Sequence, residues 1–275
     1  MKNFIRLVSL FTLLVIVLAL YEPYANKGEY TVAGSTYIQN SAQAAILLDA
    51  TEGRILFAQN ASERLPMAST TKIMTAIVAI ENMPTDYIVT VPKEAVNIEG
   101  SSIYLYEGEK ITCLDLLYGL MLESGNDAAA AIAIAVGGTM ERFVMLMNEK
   151  ARELGLKNTH FANPHGLSCE DHYTSAADLA RITDYALGNQ LFAEIVSTKR
   201  YTACEGSRYY VNHNRLLFSY DGMIGVKTGY TIASGRCLVT AARRNGRTLI
   251  AVTLNDYYCS ADHARMLDTG FAGIN

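Results

Sequence analysis

The stretch from Arg236 to Leu254, RCLVTAARRNGRTLIAVTL, holds two apolar segments, Arg236 to Ala242 and Thr248 to Leu254, on either side of polar Arg243 to Gly246. Short runs rich in Val, Ile and Thr around an Asn-Gly turn read as two antiparallel strands of a hairpin. Working outward, Tyr209 to Asn212 and Met223 to Val226 are also strand-like, and Ser260 to Phe271 reads as a closing helix. Near the other end, Ala44 to Asp49 and Arg54 to Ala58 flank Glu52-Gly53 as a second hairpin. Between these blocks the apolar residues switch to helical period. The spacing predicts helices over Thr70 to Glu81, Thr112 to Leu122, Asp127 to Val136, Thr139 to Leu154 and Ser175 to Leu187, with loop over Asn158 to Cys169. Strands, then helices, then strands, then a helix predict an α+β fold, in which N- and C-terminal strands share one antiparallel sheet around a helical insertion.

The 275 residues are 50% hydrophobic and 18% charged with 5 Pro, which excludes a disordered, collagen-like or polytopic membrane chain. A net charge of -4 leaves no basic surplus for a polyanion, so nucleic acid is not an expected partner. Cys113, Cys169, Cys204, Cys237 and Cys259 form no C-x-x-C pair, and the histidines form no H-x-x-x-H or H-x-H pair. No metal or cofactor is expected.

Lys2 and Arg6 precede the uncharged run Leu7 to Tyr21, and a polar segment follows it. That is the layout of a secretory signal, too short to span a bilayer comfortably, with retention as an uncleaved anchor as the alternative. Residues 1–21 are therefore expected to be a signal peptide or anchor, 22–40 a polar linker, and 41–275 one catalytic domain. The body is expected to be extracytoplasmic, secreted or attached to the outer face of the cytoplasmic membrane, with no membrane contact other than this segment.

Ser69-Thr70-Thr71-Lys72 places a hydroxyl and an amine one helical turn apart. Lysine can activate serine once burial or a neighbouring cation lowers its pKa. Alone the pattern arises about once by chance in a chain this long. Ser124-Gly125-Asn126 between two predicted helices and Lys227-Thr228-Gly229 at the end of a predicted strand are each weak as well. The three in this order, each in its structural context, are a strong signal.

With these motifs the chain resembles the serine D-alanyl-D-alanine carboxypeptidases, low-molecular-mass penicillin-binding proteins related to serine β-lactamases. The likeness extends over Ala44 to Asp49, Pro66 to Ala76, Leu122 to Ala129, Leu154 to Leu167, Tyr220 to Tyr230 and Asp268 to Phe271. It implies a penicillin-binding-protein/β-lactamase-like fold, removal of the terminal D-alanine from peptidoglycan pentapeptide stems, and covalent inhibition by β-lactams. It also implies that Ser69 is the nucleophile, Lys72 its base, and Ser124 and Asn126 the completion of the catalytic set. Lys227, Thr228, Gly229 and Tyr230 would bind substrate, with the Ser69 and Tyr230 amides as oxyanion hole. Lys227 would further depress the Lys72 pKa by like-charge repulsion.

There is no E-x-x-L-N segment, and the second motif is Ser-Gly-Asn instead of Ser-Asp-Asn, so a peptidase blocked by β-lactams is expected over a lactamase. The family's C-terminal β-domain and amphipathic tail are not expected after Phe271. His165 reads chiefly as a loop residue, His213 could contact substrate, and Arg236 or Arg265 could assist carboxylate binding. Service in vegetative wall growth or in spore cortex maturation is left open.

Overall fold

Leu47, Leu249, Ala251 and Ala242 lie side by side on one face of a sheet because each is the inward residue of its strand, and Met266 and Leu267 close over them from the last helix. The computed structural model describes residues 30–32 and 38–273. The chain divides into two units, Met1–Thr31 and Val32–Asn275. The expected signal segment Leu7 to Tyr21 and most of the 22–40 linker lie outside the described residues.

After the two-residue strand β1 (Thr31–Val32), β2 (Ala42–Asp49) and β3 (Arg54–Gln59) form the first hairpin. β8 (Met223–Thr231), β9 (Gly235–Arg244) and β10 (Arg247–Asp256) form an antiparallel meander, and the strands lie in the order β3-β2-β10-β9-β8. β10 pairs with β2 as well as β9, so first and last strands share one sheet, as the α+β expectation required. Among the described residues, no strand pairs with β8 on its outer side.

The helical insertion comprises α1 (Lys72–Asn82), α2 (Cys113–Leu122), α3 (Asn126–Gly137), α4 (Met140–Glu153), α5 (Ala176–Leu187), α6 (Gln190–Ser197) and the single turn α7 (Leu216–Ser219), and α8 (Cys259–Ala272) packs on the other face of the sheet. α2, α4 and α5 start where Thr112, Thr139 and Ser175 accept hydrogen bonds from the third residue onward, which satisfies otherwise orphaned amides. Four features depart from the sequence reading. Most of the strand-like run Tyr209 to Asn212 lies in β7 (Arg208–Val211), which pairs with β6 (Arg200–Ala203) in a separate ribbon. β4 (Ile88–Thr90) and β5 (Lys110–Thr112) form another small ribbon ahead of α2, and α6 was not anticipated. The Lys-Thr-Gly motif lies inside β8, not at its end.

The sheet is tied to α8 by His263, whose Nδ1 and Nε2 lie 2.7 and 2.9 Å from the hydroxyls of Thr240 and Thr253. Complete burial pushes this imidazole down to about 3. The unfolded chain therefore takes a proton at His263 below about pH 6.5 that the native state refuses, so stability must fall as pH falls. Unfolding in urea at pH 7 and pH 5 is expected to show a loss of about 2 kcal/mol from this residue alone. A His263→Asn protein should lose that share of the pH dependence, and an unchanged slope would refute the assignment.

Candidate active site

Ser69 sits in a 3-10 turn, Ala68–Thr71, that runs straight into α1. The turn is held by its own threonines: Thr70 Oγ1 donates to Met67 O at 2.6 Å and Thr71 Oγ1 to Ala68 O at 2.8 Å. With its proton so used, Thr71 Oγ1 accepts from His172 Nε2 at 2.7 Å, while His172 Nδ1 accepts from the Ala162 amide at 3.0 Å. Both bonds fit one neutral tautomer, and burial pushes His172 down to about 4.

Lys72 is fully buried. Its Nζ lies 2.6 Å from Asn126 Oδ1, 2.6 Å from the His165 carbonyl oxygen and 3.0 Å from Ser69 Oγ. A neutral amine has two N–H bonds and one lone pair. If the two shorter contacts take the N–H bonds, the lone pair faces the Ser69 hydroxyl. The pKa is held well below that of an ordinary lysine, first by desolvation and second by the charge of Lys227, with the Asp127 carboxylate opposing. Like-charge repulsion, expected from the sequence, therefore operates, but burial is the larger cause.

Asn126 opens α3 and is oriented from outside the three motifs. Its Nδ2 donates to Glu99 O at 2.5 Å and its backbone amide to Ser101 O at 2.7 Å. Asp127 fastens the same loop, accepting from Ser102 Oγ at 2.6 Å and from the amides of Ile103 and Leu105 at 3.0 Å. Ser124 is buried at the end of α2 with φ +64°, a left-handed turn that separates α2 from α3.

Lys227 projects from β8 and is 2% exposed, its Nζ 3.0 Å from Thr228 O. Desolvation pushes it down to about 7, against the raising influence of Glu123. Gly229 lies against the nucleophile turn: a Cβ there would come 3.0 Å from the Ser69 amide nitrogen and 3.2 Å from Met67 O. Tyr230, the next residue, is exposed beside Arg236 of β9. Lys72 thus joins Ser69 and Asn126 by hydrogen bonds, Gly229 packs on the Ser69 turn and Lys227 bears electrostatically on Lys72, while Ser124 adjoins this group through Asn126, and Thr228 and Tyr230 through Gly229.

The Asn163–Ser168 loop packs against the Ser69 turn and Lys72. Asn163 Oδ1 accepts from the Gly166 amide at 2.7 Å, Thr75 Oγ1 donates to Pro164 O at 2.6 Å, and Ser168 Oγ meets Thr231 Oγ1 at 3.0 Å. His165 contributes its backbone carbonyl, while burial and Lys72 push its imidazole down to about 4. His213 is half-exposed and lies 3.1 Å from Glu123. Arg265 bonds Gln39 O and Asp262 on α8, away from the cleft, whereas Arg236 reaches over the Tyr257 ring. The sequence reading missed His172, Thr75, Asp127 and the carbonyls of Glu99 and Ser101; Asp127, directly after Asn126, was the one with a visible signal. Among the described residues, no group of three His, Cys, Asp or Glu side chains is placed to hold a metal ion, and the five cysteines are free.

A family model described as D-alanyl-D-alanine carboxypeptidase matches residues 30–257. D-alanyl-D-alanine carboxypeptidase DacF of Bacillus subtilis (strain 168) is 37% identical over 246 residues, which cover 86% of this chain and 63% of the relative. The D-alanyl-D-alanine carboxypeptidase of Streptomyces sp. (strain K15) is 37% identical over 243 residues, or 80% of this chain and 84% of the relative. Among solved structures, the Streptomyces K15 DD-transpeptidase superposes with TM-score 0.79 at 36% identity, over 87% of this chain and 100% of that one. The carboxypeptidase DacD from Francisella tularensis superposes with TM-score 0.79 at 30% identity, over 86% and 71%.

Proposed function

Because the chain belongs to the D-alanyl-D-alanine carboxypeptidase family and shares the fold of its solved members, we propose that it removes the terminal D-alanine from peptidoglycan pentapeptide stems through an acyl-enzyme on Ser69. The observation that carries this reading is the buried Lys72 amine, held by Asn126 Oδ1 and the His165 carbonyl within 3.0 Å of Ser69 Oγ.

In the proposed cycle Ser69 Oγ attacks the carbonyl of the penultimate D-alanine as Lys72 takes the hydroxyl proton. The oxyanion forms against the amides of Ser69 and Tyr230, where one such donor is worth on the order of 3 kcal/mol of barrier. Ser124 relays a proton to the departing D-alanine amine. Water then cleaves the ester and regenerates Ser69. Lys227 and Thr228 take the terminal carboxylate, and the stem lies along the open edge of β8 as an added strand. A penicillin follows the same path as far as the acyl-enzyme.

The K15 relative's description as a DD-transpeptidase favours a second reading. An amine in place of water would resolve the same acyl-enzyme into a cross-link. The body is proposed to act outside the cytoplasmic membrane, reached through Leu7 to Tyr21.

The test is D-alanine release from a pentapeptide ending in D-Ala-D-Ala, with and without an added acceptor amine, alongside labelling by a penicillin. Neither release nor labelling would sink the reading, and cross-linked product in excess of release would select the second. The rate should rise with pH as Lys72 loses its proton, then fall above about pH 7 as Lys227 loses the charge that holds the carboxylate. A rate still climbing past pH 9 would contradict that assignment of roles.

A further inference from the structure

Tyr104 is 85% exposed and its backbone is left-handed, with φ +60°. A bulky side chain at positive φ is unfavourable and persists only where its surroundings impose it. Here they do so on every side. Ser102 Oγ accepts from the Tyr104 amide at 2.9 Å, and the amides of the neighbours Ile103 and Leu105 both donate to Asp127. From the opposite side Arg208 of β7 bonds the carbonyl oxygens of Ile103 and Tyr104 and is itself held by both carboxylate oxygens of Glu109. Ile103 and Leu105 are buried, so the loop turns one aromatic ring outward between two anchored aliphatic residues. Tyr106, 65% exposed, stands two residues further on.

The placement of this ring is tied to the chemistry. Ser101, three residues before it, accepts the Asn126 amide, so the Tyr104 backbone lies within about 11 Å of that contact. A stem peptide whose fourth residue is attacked at Ser69 extends roughly 13 Å back toward its first residue. Its saccharide attachment and the Tyr104 ring thus lie at comparable reach from the Ser69 site. Glu99 and Glu107, exposed on either side of Tyr104 along the chain, disfavour an anionic ligand. A rigid aromatic face carries negative π density that attracts the slightly positive C–H bonds of a neutral pyranose, and its ordering entropy is low.

We propose that Tyr104, with Tyr106 beside it, is a sugar subsite that gives this protein a preference for stem peptides still attached to their glycan over free peptides. The inference rests on the carboxypeptidase reading of the Ser69 site.

The test compares kcat/KM for a disaccharide-pentapeptide with that for the same free pentapeptide. Wild type is expected to favour the disaccharide form about tenfold, equivalent to about 1.4 kcal/mol. Tyr104→Asn, which suits a left-handed backbone but lacks the ring, should bring the ratio near one, and Tyr104→Phe should retain it. A wild-type ratio near one overturns the proposal. So does a Tyr104→Asn protein that loses activity equally on both substrates, since the ring would then serve the loop or the peptide. Release of D-alanine from neither substrate by wild type overturns the carboxypeptidase reading itself, and the subsite with it.

Discussion

A Lys72→Met protein is expected to be acylated by a labelled penicillin about 10^4-fold more slowly than wild type, the upper end of what a positioned base supplies. The reason lies in the geometry. The only amine within hydrogen-bond range of Ser69 Oγ among the described residues is Lys72, and burial, helped by Lys227, lowers its pKa in the direction a base requires. Methionine fills a similar volume without an ionisable group, so it removes an amine that is 0% exposed beside another buried lysine. Against this, Asn126 Oδ1 and the His165 carbonyl each lose a donor, at about 1–3 kcal/mol apiece where no water enters. Stability and activity therefore separate: the variant should fold, and residual acylation should increase with hydroxide concentration. A rate within tenfold of wild type would remove Lys72 from the base role. Ser69→Ala, run beside it, should form no adduct at all.

The second large effect comes from a residue with no chemistry of its own. Gly166 has φ +95°, and a Cβ there would stand 2.0 Å from Ala68 O, 2.4 Å from Ala68 C and 3.0 Å from the Ser69 amide nitrogen. Gly166→Ala must push apart the nucleophile turn and the loop whose preceding residue holds Lys72. A displacement of about 1 Å in such a site lowers rates about 10^2-fold. Stability should fall by roughly 2–5 kcal/mol, from the left-handed backbone together with overpacking. Gly138→Ala separates the two causes. That glycine has φ +79° with nothing within 4 Å of a new Cβ, so it bears the backbone strain alone and should leave acylation intact. If acylation by the two alanine variants is equal, the steric account fails.

What the sequence made legible follows from what side-chain identity encodes. The Asn245-Gly246 turn between β9 and β10, and the caps Thr112, Thr139 and Ser175, are local signals, and the elements they bound lie within a residue or two of expectation. The β6–β7 ribbon was not anticipated because a short strand-like run does not say which sheet it joins; Arg208 to Val211 pairs with Arg200 to Ala203, outside the main sheet. In the cleft, side chains named by the motifs were visible, but the groups that orient them are largely carbonyl oxygens. Those of Glu99, Ser101 and His165 bear no mark of residue type, so only the fold reveals them. The ranking of burial over Lys227 as the cause of the Lys72 shift was equally out of reach, since sequence gives the neighbours and not the depth.

The outer side of β8 is the seat proposed for substrate, and among the described residues it is also an edge row to which no further strand is paired. Left empty, such a row is a template for another chain, and Ile232 at the turn beyond it is 96% exposed. Natural sheets blunt that hazard with charge, proline or cover, yet here the edge must stay clear enough to admit a peptide. Occupancy becomes a safeguard for solubility: any stem or β-lactam seated on β8 withdraws the strand from self-association and shifts the folding equilibrium by mass action. A covalent acyl group would make that protection persist after free ligand is gone, so the inhibited protein should resist heat-induced aggregation better than the active one.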